Sequence, residues 1–309
     1  MKRSLIAMAV SSAAFTSIAQ AADDSYVDAY GNIQLVYHNS DVAGGDSESE
    51  ITDNGSTFGF KGETKLNQGL TGFFKYELEA DADEKTSDID VNLDQAYVGA
   101  KGGFGKVQIG TFDSIYNNAI QDGLDQFEFA GISGSATTTE GDTLAYFSPS
   151  FGGFEVQLAA QVKGDAESEV SSTQVEEGEA FTAVVKYNLD ALTLALGYDT
   201  LDNTPNAKET IGLSASYQLD AAMTLKAKYE ENTDVDTRMG VGASYEYGIG
   251  RLYGSFQQVE LDLANSEDYD EYALGATYNL GEDVYVYVEA GQQSADELDF
   301  TAVGAYYGF

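Results

Sequence analysis

The chain has 309 residues, with 52 Asp and Glu against 15 Lys and Arg, a formal net charge of −37, no cysteine and a single histidine. Nucleic acid and anionic lipid surfaces demand a basic patch, so both are poor partners. Disulfides, thiolate metal sites and cysteine nucleophiles are excluded outright. The acid excess attracts cations and keeps exposed loops soluble; adaptation to a salty medium would account for it equally well.

The first residues read as a secretory signal. Lys2 and Arg3 are its basic start, Leu5 to Ala14 an apolar stretch too short to span a bilayer as a helix, and Ala19-Gln20-Ala21 the small-residue cleavage site. Residues 1–21 are expected to be removed, leaving 22–309 outside the cytoplasm. No later segment approaches 18 consecutive apolar residues, so no transmembrane helix is expected. That leaves a membrane barrel open, because a barrel needs only half of each strand to be apolar.

From residue 23 to Phe309 one pattern repeats: about ten alternating residues, a tight turn, ten more, then a longer acidic loop. In Ile211-Gly212-Leu213-Ser214-Ala215-Ser216-Tyr217-Gln218-Leu219 the odd positions are oily and the even ones small or polar. Period two means one apolar and one polar face. Turn chemistry places short connections at Asn67-Gln68-Gly69, Gly102-Gly103, Pro149 to Gly152, Asp190-Ala191, Asp220-Ala221, Gly248-Ile249 and Gly281-Glu282. Longer polar connections fall near 40–54, 81–91, 113–141, 163–179, 202–208, 231–237, 262–269 and 294–298. Turns and loops alternate strictly, which predicts sixteen antiparallel strands, one of them at 142–148. An even count lets the first strand pair with the last, removing sheet edges that lipid would not tolerate. Closed barrels of about 16 to 18 strands enclose an aqueous channel. The two prolines, Pro149 and Pro205, fall in a turn and a loop.

The two faces point to different solvents. Outward parity puts Tyr187, Tyr198, Tyr217, Tyr229, Tyr245, Tyr272, Tyr278 and Tyr307 near strand ends, where an aromatic ring buries its face and wets its hydroxyl. Inward parity carries Lys186, Lys226, Lys228, Arg238, Glu155, Glu230, Glu246 and Glu289. A Lys or Arg facing lipid at mid-depth would cost about 2–4 kcal/mol. The predicted class is an all-β transmembrane up-and-down barrel with a water-filled lumen.

Short motifs then resemble, in order, the trimeric general porins of Gram-negative outer membranes. They are Tyr30-Gly31; Phe58-Gly59-Phe60-Lys61-Gly62-Glu63-Thr64 with Gly69-Leu70-Thr71-Gly72; Ala96-Tyr97-Val98-Gly99; Gly103-Phe104-Gly105-Lys106-Val107; Ser148-Pro149-Ser150-Phe151-Gly152-Gly153-Phe154; and the terminal Phe309. The resemblance implies that loop 113–141 folds into the barrel as a constriction. Glu128-Phe129-Ala130-Gly131 resembles the family's Pro-Glu-Phe-Gly-Gly, with Phe127 in the proline's place. Glu128, Asp125 and Asp122 are the candidate constriction acids. Lys61, Lys186, Lys226, Lys228, Arg238 and Arg251 are the candidate basic wall. Three ladder positions that are basic in the family are neutral here: Asn32, Thr57 and Thr111. The resemblance further implies a homotrimer packed through outward Gly62, Gly72, Ala96, Val98 and Ala100. It also implies that Tyr307 and Phe309 are the signal for the outer-membrane assembly machinery.

These readings converge on passive diffusion of ions and small hydrophilic solutes, without a cofactor. With acidic residues weakly opposed, cations should be preferred. A substrate-specific channel is the alternative, but inward Tyr285 and Tyr287 alone are too few for a sugar track. A barrel hydrolase would need a histidine base, and His38, read as an interface residue at the outer end of the first strand, lacks a nucleophile partner. Asp81-Ala82-Asp83-Glu84 and Glu267-Asp268-Tyr269-Asp270-Glu271 lack calcium-loop spacing. Their weak use in bridging divalent cations to lipopolysaccharide is a separate option.

Overall fold

The computed structural model describes residues 25–41, 45–83, 91–129, 131–135, 140–162, 179–201, 208–262, 266–293 and 298–309. The expected signal segment 1–21 and parts of the longer connections lie outside the described residues.

Alternating residues form strands that bury polar side chains and expose oily ones. Leu274, Val241 and Val303 are 62%, 60% and 57% exposed, whereas Glu230, Gln257 and Glu289 are 0%, 0% and 1% exposed. A water-soluble sheet protein would show the reverse. The expected girdle tyrosines lie on the oily side, Tyr198, Tyr217, Tyr245, Tyr272, Tyr278 and Tyr307 all being exposed. Tyr187 packs its ring on Phe154 at 4.3 Å.

In chain order the strands are β1 (Ser25–Ser40), β2 (Glu48–Asp53), β3 (Thr57–Lys65), β4 (Thr71–Ala80), β5 (Val91–Gly102), β6 (Gly105–Thr111), β7 (Thr143–Phe147), β8 (Phe154–Val162), β9 (Glu179–Leu189), β10 (Leu192–Asp199), β11 (Thr210–Gln218), β12 (Met223–Asn232), β13 (Asp236–Glu246), β14 (Arg251–Leu261), β15 (Tyr269–Asn279), β16 (Val284–Gln293) and β17 (Leu298–Gly308). From β3 onward each pairs antiparallel with the next. β17 returns to β1 from Asn32↔Gly308 to Ser40↔Phe300 and closes the barrel. Phe309 completes the seam, its N–H donating to Gly31 O at 2.9 Å and its carbonyl accepting from Gly31 N at 3.0 Å.

β2 and β3 are two halves of one barrel strand, since both pair with β1. The barrel is therefore sixteen-stranded, and β7 occupies the position expected at 142–148. Two connections are shorter than expected. The loop placed at 40–54 contains β2, which continues the first hairpin from Leu35↔Asp53 to Ser40↔Glu48. The loop placed at 231–237 shrinks to a turn closed by Val235 N donating to Asn232 O at 3.0 Å.

The break between β2 and β3 has a local cause. The Asp53 carboxylate accepts the N–H groups of Gly55 and Ser56 at 3.0 and 2.9 Å, and Gly55 takes φ +82°. Asx turns of this kind compete with a sheet ladder, and only glycine adopts that φ without strain.

Candidate functional site

The long connection between β6 and β7 lies against the inner wall. A single wide helical turn, Asn117–Gln121, presses its apolar side chains onto the barrel. Tyr116, Ile120 and Leu124 are wholly buried there. They fit because the wall has no side chains beneath them. A Cβ built on Gly212 would stand 2.3 Å from Ile120 Cγ2, and one on Gly240 would stand 2.2 Å from Leu124 Cδ2. Gly197, paired with Gly212 across the ladder, would crowd Ile120 and Tyr116 in the same way. Burying a large apolar side chain stabilises by about 1.5–3 kcal/mol.

Polar anchors continue where this apolar seat ends. Glu289 accepts the N–H groups of Glu128 and Phe129 at 2.8 and 3.0 Å, and the Tyr253 hydroxyl at 2.6 Å. Glu271 accepts the Ser133 N–H at 3.1 Å and its hydroxyl, as well as Gln257 Nε2 at 2.9 Å. Glu230 accepts the Ser135 N–H at 3.1 Å and Gln121 Nε2 at 2.9 Å. From the strand break, Asn54 Nδ2 donates to Glu128 O at 2.7 Å. Gln126 Nε2 reaches Ser255 Oγ at 3.1 Å, and Ser255 Oγ donates to Leu124 O at 2.9 Å. Buried carboxylates here take backbone N–H donors that the irregular loop cannot satisfy internally.

The three candidate acids occupy different surroundings. Asp122 is open to lumen water yet enclosed on several sides by protein. That enclosure, ahead of the nearby Asp125 and Asp113 charges, pushes its carboxyl up to about 6. Lys226 and Lys186 act in the opposite sense. Asp125 turns back on its own loop, accepting the Phe127 N–H at 3.2 Å. A side chain at Gly131 would meet that carboxylate at 2.0 Å. Glu128 is tied to the wall through Gln34 Nε2 at 3.1 Å and the Tyr285 hydroxyl at 3.0 Å.

The six candidate wall cations divide as well. Lys228 and Arg238 are buried and hold the loop rather than line open water. Lys228 Nζ donates to Ser133 O at 2.9 Å, and Arg238 donates to Ser133 Oγ and pairs with Asp236 at 2.9 Å. Arg251 reaches Gln126 O at 3.0 Å from the same side. Lys226 and Lys186 lie near Asp122, and Lys61 sits over the Tyr30 ring at 4.7 Å. Two neutral ladder positions clamp each other, Thr57 Oγ1 donating to Asn32 Oδ1 at 2.6 Å. Thr111 pairs instead with Ala96 at the end of β6.

Sequence reasoning passed over three inward cations on β4–β6. Lys75 lies opposite Lys61 in the ladder and pairs with Glu77 at 2.6 Å. Lys101 pairs with Glu63, and Lys106 sits 3.8 Å over the Phe147 ring. The signal was weak because Phe73-Phe74-Lys75-Tyr76 puts aromatics on both faces, which blurs the period-two pattern.

Two further expectations are corrected. His38 is not an interface residue: it stacks on Phe129 of the loop at 4.7 Å, inside the barrel. Inward aromatics are not confined to Tyr285 and Tyr287. Tyr306 stacks on Tyr285 at 4.8 Å, and Phe73, Tyr97 and Phe112 form an edge-to-face series at 6.2 and 5.8 Å.

Known proteins carry the same organisation. A family model described as Gram-negative porin matches residues 7–298. A Halomonas protein named "Monosaccharide porin" and a Halomonas elongata "Major outer membrane protein" are each 34% identical, covering 100% of this chain and 100% of their own length. Among solved structures, an "Anion-selective porin from Comamonas acidovorans" superposes with a TM-score of 0.75 at 18% identity, over 93% of this chain and 100% of that one.

Proposed function

Because the chain belongs to the Gram-negative porin family and is thus a non-enzymatic channel of the outer membrane, we propose that its lumen passes ions and small hydrophilic solutes with a preference for cations. The observation that carries this reading is the inverted surface, oily outside and polar inside, with a long loop bound to the inner wall. That loop acts as the constriction and sets the size limit, while fixed charges beside the free passage set ion preference. The acidic side prevails because carboxylates outnumber cations, 52 against 15, and Lys75, Lys101 and Arg238 are each already balanced by a carboxylate, Glu77, Glu63 and Asp236. Asp122, open to the lumen, is the acid best placed to attract cations.

The charge argument is tested by reversal potentials in planar bilayers under a KCl gradient. The potassium preference should be largest above pH 7, where Asp122 is ionised. It should fall as pH drops through about 6, because protonation removes the charge. Asp122→Asn should lower the potassium-to-chloride permeability ratio by roughly two- to fourfold, the effect of one charge several ångströms from the path in water, and should flatten the pH profile. Chloride preference in the unsubstituted protein would end this reading.

A second reading, that small neutral sugars are a main cargo, is favoured by the inward aromatics and amides and by the name of the Halomonas relative. Family membership supports a homotrimer, with Gly62, Gly72, Ala96, Val98 and Ala100 as its packing face. Tyr307 and Phe309 serve as the assembly signal, residues 1–21 as the export signal, and loop carboxylates as weak divalent bridges to lipopolysaccharide.

A further inference from the structure

The apolar seat of the loop leaves part of the inner wall uncovered. Between the inner faces of β5–β9 and the first residues of the loop, a recess of about 400 Å³ opens from the lumen. Its volume lies within the roughly 300–1,000 Å³ typical of small-molecule sites. Tyr97, Gln108, Phe147, Gln157, Lys186 and Asn118 are among its lining residues. The ladder explains the clustering: Phe147 pairs with both Lys106 and Gln157 on the neighbouring strands, and Lys186 faces Glu155.

The chemistry of this recess is unlike that of the loop seat. Gln108 is only 5% exposed, and it lines the recess. With so little of the residue exposed, its head offers a fixed donor and acceptor to whatever enters. Gln157 and Asn118 add two more amides, each with donor and acceptor on one planar head. Such heads match the adjacent hydroxyls of a polyol, while the Tyr97 and Phe147 rings supply apolar surface. Charge does not single out an ion. Lys106 is capped by the Phe147 ring, Lys186 stands opposite Glu155, and Asp113 accepts Gln95 Nε2 at 2.9 Å. Positive and negative groups are balanced around neutral amides.

We infer that this recess is a binding subsite for a neutral, monosaccharide-sized polyhydroxylated solute, held by Gln108, Gln157 and Asn118 beside the Tyr97 and Phe147 rings. The inference rests on the pore reading above and adds a saturable step to passive diffusion. Solute seated here stands beside the constriction loop, so occupancy raises its local concentration where passage is narrowest.

The test combines glucose flux into proteoliposomes, measured against concentration, with KCl conductance of the same preparation in planar bilayers. Glucose flux through the unsubstituted protein should saturate. In the Gln108→Ala/Gln157→Ala variant the half-saturating concentration should rise about five- to tenfold, in line with the loss of one or two hydrogen bonds, with KCl conductance within about twofold of the original. Should that variant fail to give a heat-modifiable folded band, Asn118→Ala, at an exposed loop position, is read by the same criterion. Linear glucose flux alongside normal KCl conductance would overturn the subsite, as would equal saturation in original and variant. Absence of KCl conductance would instead overturn the pore reading beneath it.

Discussion

Gly212→Val is expected to unseat the loop between β6 and β7 while leaving the barrel closed. The wall position must be bare, because a Cβ there would lie 2.3 Å from Ile120 Cγ2 and 2.6 Å from the Tyr116 hydroxyl. Overpacking of this kind costs about 1–3 kcal/mol even where neighbours can shift. Here the loop must also give up part of the burial of Tyr116 and Ile120, each worth about 1.5–3 kcal/mol. The sheet itself has no objection, since valine suits a strand and the Gly212 ladder partners, Gly197 and Glu230, keep their backbone pairing. The variant should therefore run as a folded, heat-modifiable barrel. Residues 113–135 should become cleavable by added protease, and single-channel currents should turn noisy. Adding Ile120→Ala removes the nearer of the two groups that the valine strikes and should restore part of the protection. The rescue measures coupling between the two positions, which separates a seat from a general weakening of the wall. A quiet, protease-resistant Gly212→Val channel would show that the glycine is not a seat.

The barrel was legible in the sequence because each strand carries its own periodicity, and alternation needs no knowledge of partners. The strand count followed from turn residues, and even β7 followed from its place between the loop 113–141 and the turn at Pro149. Local chemistry misled at 40–54 and 231–237, where polar residues that read as loop still pair in the ladder. The residues 40–54 look like a polar loop, but Glu48–Asp53 pair as β2, and the Asp53-Asn54-Gly55-Ser56 break is what turns Asn54 toward the loop. The candidate site was less legible, for a physical reason. Inward Glu230, Glu289, Lys228 and Arg238 read as charges in a watery lumen, whereas they are buried partners of a loop far away in sequence. Which carboxylate meets which N–H depends on tertiary docking, and no spacing rule encodes it. Gly212 was legible as a small residue on the polar face, but the side chains that crowd it, Tyr116 and Ile120, could not be named beforehand.

Loss of Glu289 is expected to free the far end of the same loop. This carboxylate accepts three donors at once, the N–H groups of Glu128 and Phe129 and the Tyr253 hydroxyl, and is 1% exposed. Hydrogen bonds to a charged group contribute about 1.5–3 kcal/mol each, and buried donors left unpaired cost about 1–3 kcal/mol more. Lumen water can rehydrate some of those donors once the loop lifts, so Glu289→Ala should weaken docking of the Glu128 region by roughly 3 kcal/mol or more. Glu289→Gln should fall between, because its amide oxygen keeps an acceptor while its NH₂ meets groups that also donate. Tyr253→Phe removes one donor and leaves both loop N–H groups paired, so its effect should be the smallest. Protease access to the loop should thus rank alanine first, glutamine second and phenylalanine last, while the temperature at which the barrel loses its folded mobility stays nearly constant. Glu128 would retain its ties to Gln34, Asn54 and Tyr285, which explains why the loop end should become labile rather than leave the lumen altogether. If alanine at 289 left protease access and channel noise unchanged, the hydrogen bonds to this carboxylate would not be what holds the loop against the wall, and the apolar seat over Gly212 and Gly240 would have to hold it alone.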